Sequence, residues 1–200
     1  MKIEYKDIIL RDMTEADIED DIRWNTLETD WANWDAPWES LPDLLTFDAE
    51  EYRKKELLKL AEPKDKIRWG FEIETAEGIH IGAVNSYMIN ENFEWISVKD
   101  IKPGNKAFRT VGISICESSF CGKGFGTKAL AAFTNYYLEN AEDEIYCQTW
   151  SGNIRMIKCA EKLGFEECRR KIGLREVRGE KFDGLTFRLD KEKFYNYFNG

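Results

Sequence analysis

Apolar residues alternate with polar ones over two stretches, Ile67 to Thr75 and Ile79 to Ile89, and this period of two predicts a pair of strands. Between them, Ala76-Glu77-Gly78 supplies hairpin chemistry, because glycine takes a positive φ without steric cost. The short run Ile8-Ile9-Leu10 predicts an earlier strand. Thr14, with Asp17 three positions on, predicts a helix N-terminus running to about Trp24, and Asp48 predicts the cap of a second helix through Tyr52, Leu57, Leu58 and Leu60. Arg109 to Cys116 predicts a further strand. Phe125, Ala129, Leu130, Phe133, Tyr136 and Tyr137 then recur at helical spacing, which predicts a long amphipathic helix to about Asn140. Ile145 to Trp150 returns as a strand, and Asn153 opens a helix that ends before Gly164. Two strands, roughly Glu167 to Val177 and Leu185 to Leu189, are joined through Phe182-Asp183-Gly184 and followed by a short aromatic helix.

The predicted order is β-α-α-β-β-β-α-β-α-β-β, without repeats or linkers, which points to a single mixed α/β (α+β) domain over residues 1–200. Composition agrees, since 42% hydrophobic and 34% charged residues in 200 suffice for one good core. Charges from Lys2 to Asp7 occupy the place of a secretory apolar run, and no stretch approaches the roughly 20 apolar residues that cross a bilayer. A soluble cytoplasmic protein without a membrane partner is therefore expected, as a monomer or homodimer. Cys116, Cys121, Cys147, Cys159 and Cys168 form no C-x-x-C pair and no metal-like cluster with His80, so they are expected as reduced and mostly buried thiols, with no metal. His80 itself lies in a strand pattern and is expected as a packed core residue. A net charge of -9 argues against nucleic acid, which draws on concentrated Lys and Arg, and favours a cationic small molecule or a basic peptide.

The chemistry concentrates in Cys121-Gly122-Lys123-Gly124-Phe125-Gly126-Thr127, between a predicted strand and a predicted helix. Alternating glycines let the backbone turn tightly and leave its N–H groups uncovered. At a helix N-terminus such amides hold a diphosphate without a basic cluster of their own. A dinucleotide turn needs G-x-G-x-x-G and a later acidic residue for the ribose, whereas the spacing here is G-x-G-x-G and the next strand ends at Gln148-Thr149-Trp150.

Gly122 to Leu130, together with Asn153-Ile154-Arg155-Met156 leading into Ala160-Glu161-Lys162-Leu163-Gly164-Phe165, resembles the GNAT acetyltransferases, and within them the RimJ/RimL-type branch. The resemblance implies a mostly antiparallel central sheet flanked by helices, with acetyl-CoA as cosubstrate. It further implies that Ile113, Ser114 and Ile115 bind the pantetheine arm, that Cys121 to Thr127 hold the pyrophosphate through backbone amides, and that Asn153 binds the arm from the next helix. The family's usual Gln or Arg is replaced by Cys121, which removes one side-chain contact but not the amide cradle. Many relatives carry a Tyr that protonates the leaving thiolate where this chain has Ala160, so the proton donor is open.

The activity implied is direct attack of a primary amine on the thioester, with a backbone N–H of the 113–115 strand, Ile115 foremost, holding the oxyanion. The alternative is a weakly active or inactive acyl-CoA-binding module serving as a sensor or partner protein. An ammonium must lose a proton before it attacks, and Glu117, just past the strand, is the first candidate base, ahead of Glu72 and Glu74. Trp31, Trp34, Asp35 and Trp38 lie in a segment that interleaves tryptophans with acids, which suits an amine acceptor through cation-π contact and charge pairing. Acceptors consistent with this pattern are a polyamine, an aminosugar or a protein N-terminus.

Overall fold

The computed structural model describes residues 1–140 and 144–200. The chain runs through β1 (Lys2–Tyr5), β2 (Ile8–Arg11), α1 (Asp17–Thr26), α2 (Pro37–Leu45), α3 (Ala49–Ala61), β3 (Gly70–Thr75), β4 (His80–Asn90), β5 (Trp95–Ile96), β6 (Ala107–Ile115), α4 (Phe125–Glu139), β7 (Ile145–Trp150), α5 (Ile154–Lys162), β8 (Phe165–Val177), β9 (Glu180–Leu189) and α6 (Lys191–Phe198). The strands form one nine-stranded sheet in the order β1-β2-β3-β4-β6-β7-β9-β8, with β5 paired to β4. Neighbours are antiparallel except β6 and β7, which are parallel and pair only at Arg109↔Ile145 and Thr110↔Tyr146.

Register divides the sheet into two unlike faces. Leu10, Ile73, Phe71, Val84 and Ile113 share one face through their cross-strand pairings. That face takes α4, whose Phe133 meets Phe71 edge-on at 5.9 Å, and the main core forms there. On the other face a row runs Arg11, Glu72, Ala83, Ser114 across four strands. It is charged or small, and part of the face stays open: Asn85, on the central strand β4, is exposed.

Several local expectations hold because their causes are local. The Asp48 carboxylate caps α3 by accepting from the N–H of Glu50 and Glu51 at 2.9 and 3.0 Å, Gly78 turns the β3–β4 hairpin at φ 83°, and Gly164 follows α5 at φ 83°. Others are corrected. Thr14 does not cap α1; its N–H and hydroxyl donate to Asp17 at 2.7 and 2.8 Å, so the carboxylate closes the turn from inside. The β8–β9 turn falls at Arg178-Gly179, both at positive φ, and Phe182-Asp183-Gly184 lies inside β9. A side chain at Gly184 would strike Leu174 of β8 at 2.5 Å, so close packing rather than turning explains that glycine. The strands β1 and β5 and the helix α2 were not legible: α2 begins at Pro37 within the tryptophan-acid segment that reads as a loop. The cysteines are all free, as expected, but Cys147 alone is buried and Cys168 is exposed.

Candidate active site

Beyond Thr110 and Tyr146 the parallel strands β6 and β7 part, because two rungs are all that join them. The amide of Cys116 donates to Ile81 O at 2.9 Å, which fixes the antiparallel alternation between β4 and β6. By that alternation Ser114 and Gly112 turn their backbone groups toward β4, while Ile113 and Ile115 turn theirs into the gap left by β7.

The gap leads to a cavity of about 520 Å³ lined by Ile113, Ser114, Ile115, Cys121, Gly122, Gly124, Gly126, Thr127 and Asn153, together with Trp31, Trp34 and Asp35. Gly124 stands at the N-cap of α4 with φ 86°, a conformation costly for any residue with a Cβ, and no side chain caps the helix. The first-turn amides of α4 therefore lack side-chain partners, which is the condition for holding a diphosphate. Arg155, Lys158 and Lys162 of α5 also reach this wall, adding positive charge that suits the phosphates of coenzyme A. Their spacing on one helical face was a signal in the sequence, left unused. Lys123 and Phe125 are not on the wall; Phe125 packs edge-on against Phe120 at 5.3 Å. Asn153 lines the cavity with both polar atoms engaged, Oδ1 accepting from Met156 N–H at 3.0 Å and Nδ2 donating to Trp34 O at 2.6 Å.

The tryptophan-acid segment is drawn to the gap by its backbone. Trp150 of β7 donates its indole N–H to Trp34 O and Asp35 O at 3.1 and 2.9 Å. This delivers Asp35 to the cavity wall, solvent-accessible but crowded by protein, and burial pushes its carboxyl above the usual range despite the Ser40 hydroxyl at 3.5 Å. The tryptophans are less free than their sequence suggests. Arg155 covers Trp34 at 3.9 Å and Arg175 covers Trp38 at 4.5 Å, while Trp38 meets Trp150 edge-on and is not on the cavity wall. Two of the three faces thus already hold a cation from the chain itself.

Glu117 follows β6 as expected, but its carboxylate accepts from the Arg23 guanidinium and, at 3.0 Å, from the Trp24 indole N–H. Glu74 is paired with Arg11 at 2.6 Å, and Glu72 with His80 Nε2 at 2.9 Å. His80 is packed, as expected, yet it is also the hub of an ionic cluster with Glu72 and Asp20. Burial pulls its imidazolium down, and the hydrogen bond and charge of Glu72 with those of Asp17 and Asp20 outweigh that, leaving it raised.

Asp21 of α1, which nothing in the sequence singled out, has no ion-pair partner among the described residues. Its carboxylate accepts from the Tyr52 hydroxyl at 2.7 Å. Burial, joined by the charges of Glu72 and Asp17, pushes its carboxyl from 3.8 up to about 6, against the opposing pull of Tyr52 and His80. A carboxyl whose folded pKa is raised costs stability once ionised, so this penalty grows from about pH 4 to about pH 6 and is constant above. The full shift corresponds to about 3 kcal/mol, reduced to about 1–2 by solvent screening. Asp21→Asn, which keeps an acceptor for Tyr52, is therefore expected to unfold at a higher temperature than the native chain at pH 7.5 and at an equal one near pH 4. An equal advantage at both pH values would show that the carboxyl is not the cause.

The family model for the acetyltransferase (GNAT) domain matches residues 7–166, and the chain belongs to this family. It is accordingly an acetyltransferase that uses acetyl-CoA. No curated protein matches the chain. Among solved structures it is similar to the ribosomal-protein-S5-alanine acetyltransferase of Vibrio fischeri, at 16% identity and TM-score 0.67 over 94% of this chain and 95% of that one. It is likewise similar to RimL, a ribosomal L7/L12 alpha-N-protein acetyltransferase in complex with coenzyme A, at 15% identity and TM-score 0.65 over 94% and 97%. A spermidine N-acetyltransferase chimera from Vibrio cholerae and hSSAT matches at 17% identity and TM-score 0.63 over 96% and 99%. No helix among the described residues is long and apolar enough to cross a membrane.

Proposed function

We propose that the chain acetylates a cationic primary amine and that Asp35, rather than Glu117, takes the proton from the attacking nitrogen. The observation that carries this reading is the single cavity joining the uncapped start of α4, the outward amides of β6 and an accessible carboxylate of raised pKa. Acetyl-CoA supplies the activated acetyl thioester. The α4 amides and the α5 cations hold its phosphates, the backbone groups of Ile113 and Ile115 line its arm, and the Ile115 N–H is placed to hold the negative charge that builds on the carbonyl oxygen.

A carboxylate without a cation of its own both attracts an ammonium and, with its acidity weakened by crowding, removes a proton more readily than an ordinary aspartate. Glu117 is less suited, because Arg23 and Trp24 already occupy it. With Trp34 and Trp38 covered by arginines, charge pairing rather than an aromatic cage recognises the acceptor. The S5-alanine and spermidine enzymes act on a protein and on a polyamine, and both acceptor types present the required amine. The test is release of free thiol from acetyl-CoA with three acceptors in parallel: a polyamine, an aminosugar and a short peptide with a free N-terminus. Thiol release above the hydrolysis background with at least one cationic amine is expected. None with any of them, in a protein that acetyl-CoA stabilises against heat, would overturn the reading.

A further inference from the structure

Departure of coenzyme A leaves a negative charge on sulfur, and the buried Ala160 cannot supply a donor for it. The register of the sheet shows where one stands. Tyr87 of β4 is paired with Thr110 of β6, the last residue of β6 that is still joined to β7. From there its hydroxyl donates to Gln148 Oε1 on β7 at 3.0 Å. Gln148 lies two residues past Tyr146, so the Tyr87–Gln148 contact spans the gap where the strands begin to part, one residue short of the cavity wall at Ile113.

Both ends of this contact are held. Gln148 Nε2 donates to Thr186 Oγ1 at 2.9 Å and to Phe93 O at 3.0 Å, which leaves Oε1 as the acceptor and directs the Tyr87 proton. Burial, with Cys147, Asp35 and Glu39 adding to it, raises Tyr87, so the hydroxyl keeps its proton at working pH. Beneath it the wholly buried Thr110 hydroxyl has no hydrogen-bond partner among the described residues. A site for a further polar atom is therefore present at the narrow end of the gap.

We infer that Tyr87, held by Gln148, is the residue that donates a hydrogen bond to the departing sulfur of coenzyme A. This rests on the proposed acetyl transfer. As the carbon–sulfur bond breaks, its electron pair stays on sulfur and the Tyr87 O–H turns from Gln148 to that atom. Asp35 takes the proton that the attacking nitrogen loses on becoming an amide and gives it up to the sulfur as coenzyme A leaves, so the carboxylate is restored and no other reactant is required. A donor here strengthens as charge develops, which is the condition for accelerating the step.

Tyr87→Phe keeps the ring and removes the donor. Its kcat is expected to fall about 10–100-fold, with the KM for acetyl-CoA within about twofold, as for loss of one hydrogen bond to a charged group. A second readout needs no turnover: the ultraviolet absorbance of the thiolate, titrated with pH as the difference between protein with and without coenzyme A. Bound to the native protein, the thiol should ionise at lower pH than free coenzyme A, and Tyr87→Phe should move it back by about one unit. Coenzyme A that stabilises both proteins against heat yet ionises at the same pH in each would overturn the role of Tyr87. Failure of coenzyme A to stabilise the native protein would instead sink the acetyl-transfer reading beneath it.

Discussion

Asp35→Asn is expected to lower kcat for amine acetylation by about 100-fold or more while the rise in melting temperature caused by acetyl-CoA stays unchanged. The magnitude is that of a lost general base, and the selectivity follows from position. Asp35 lines the cavity from the segment before α2, apart in sequence from the glycine turn, and its backbone carbonyl, held by Trp150, is kept in the amide variant. Activity should also respond to pH differently. In the native protein it should rise as the raised carboxyl ionises, and that limb should vanish in the variant. A loss below about threefold, measured by thiol release with the best acceptor, would assign the proton to another group. Glu117→Gln supplies the comparison. Because Glu117 ties Arg23 and Trp24 of α1 to the end of β6, its loss should lower stability more than it lowers kcat in the folded fraction.

The second large effect concerns the cosubstrate. Gly126 lies in the first turn of α4, and a Cβ there would meet only Ile115 Cγ1 at 3.5 Å and Ile113 Cδ1 at 3.6 Å, ordinary contacts that need no rearrangement. Gly126→Asp therefore fits, and its carboxylate suits the positive end of the helix by about 0.3–1 kcal/mol. On the proposed placement of the diphosphate at the start of α4, the same carboxylate competes with it for the cavity. The Kd for acetyl-CoA is expected to rise by about 100-fold or more, about 2.7 kcal/mol, while the unliganded protein melts no lower than the native one. Calorimetry together with thermal unfolding reads both. A variant that binds acetyl-CoA normally would move the phosphate site away from α4.

The glycine turn and the start of α5 were legible because each is set within a few residues. Alternating glycines produce their own positive φ at Gly122 and Gly124, and Asn153 caps the helix it starts. Of the residues on the proposed acceptor side, Asp35 stands out in the sequence, whereas Asp21 and Tyr87 do not, because Asp21 meets Tyr52 from far along the chain and Tyr87 reaches Gln148 only through the register of β4 on β6. Glu117 shows the same limit in reverse. Its position beyond β6 is visible in the sequence, whereas the Arg23 and Trp24 that occupy it come from far earlier in the chain. Residues 28–39 suggest cation-π contact with an acceptor because Arg155 and Arg175, which cover Trp34 and Trp38, are distant in sequence.

The two rungs between β6 and β7 also bear on how cooperatively the molecule holds together. One half-sheet, β1 to β6, and the other, β7 to β9, meet along a seam where most backbone groups of Ile113 to Ile115 lack a strand to answer them. Local opening should concentrate at that seam, since a unit is only as coupled to its neighbour as the bonds that cross between them. On the proposed binding mode, a pantetheine arm with its own amides would take the place of the absent strand segment, and the cosubstrate would then act as a temporary piece of the sheet that couples its two halves.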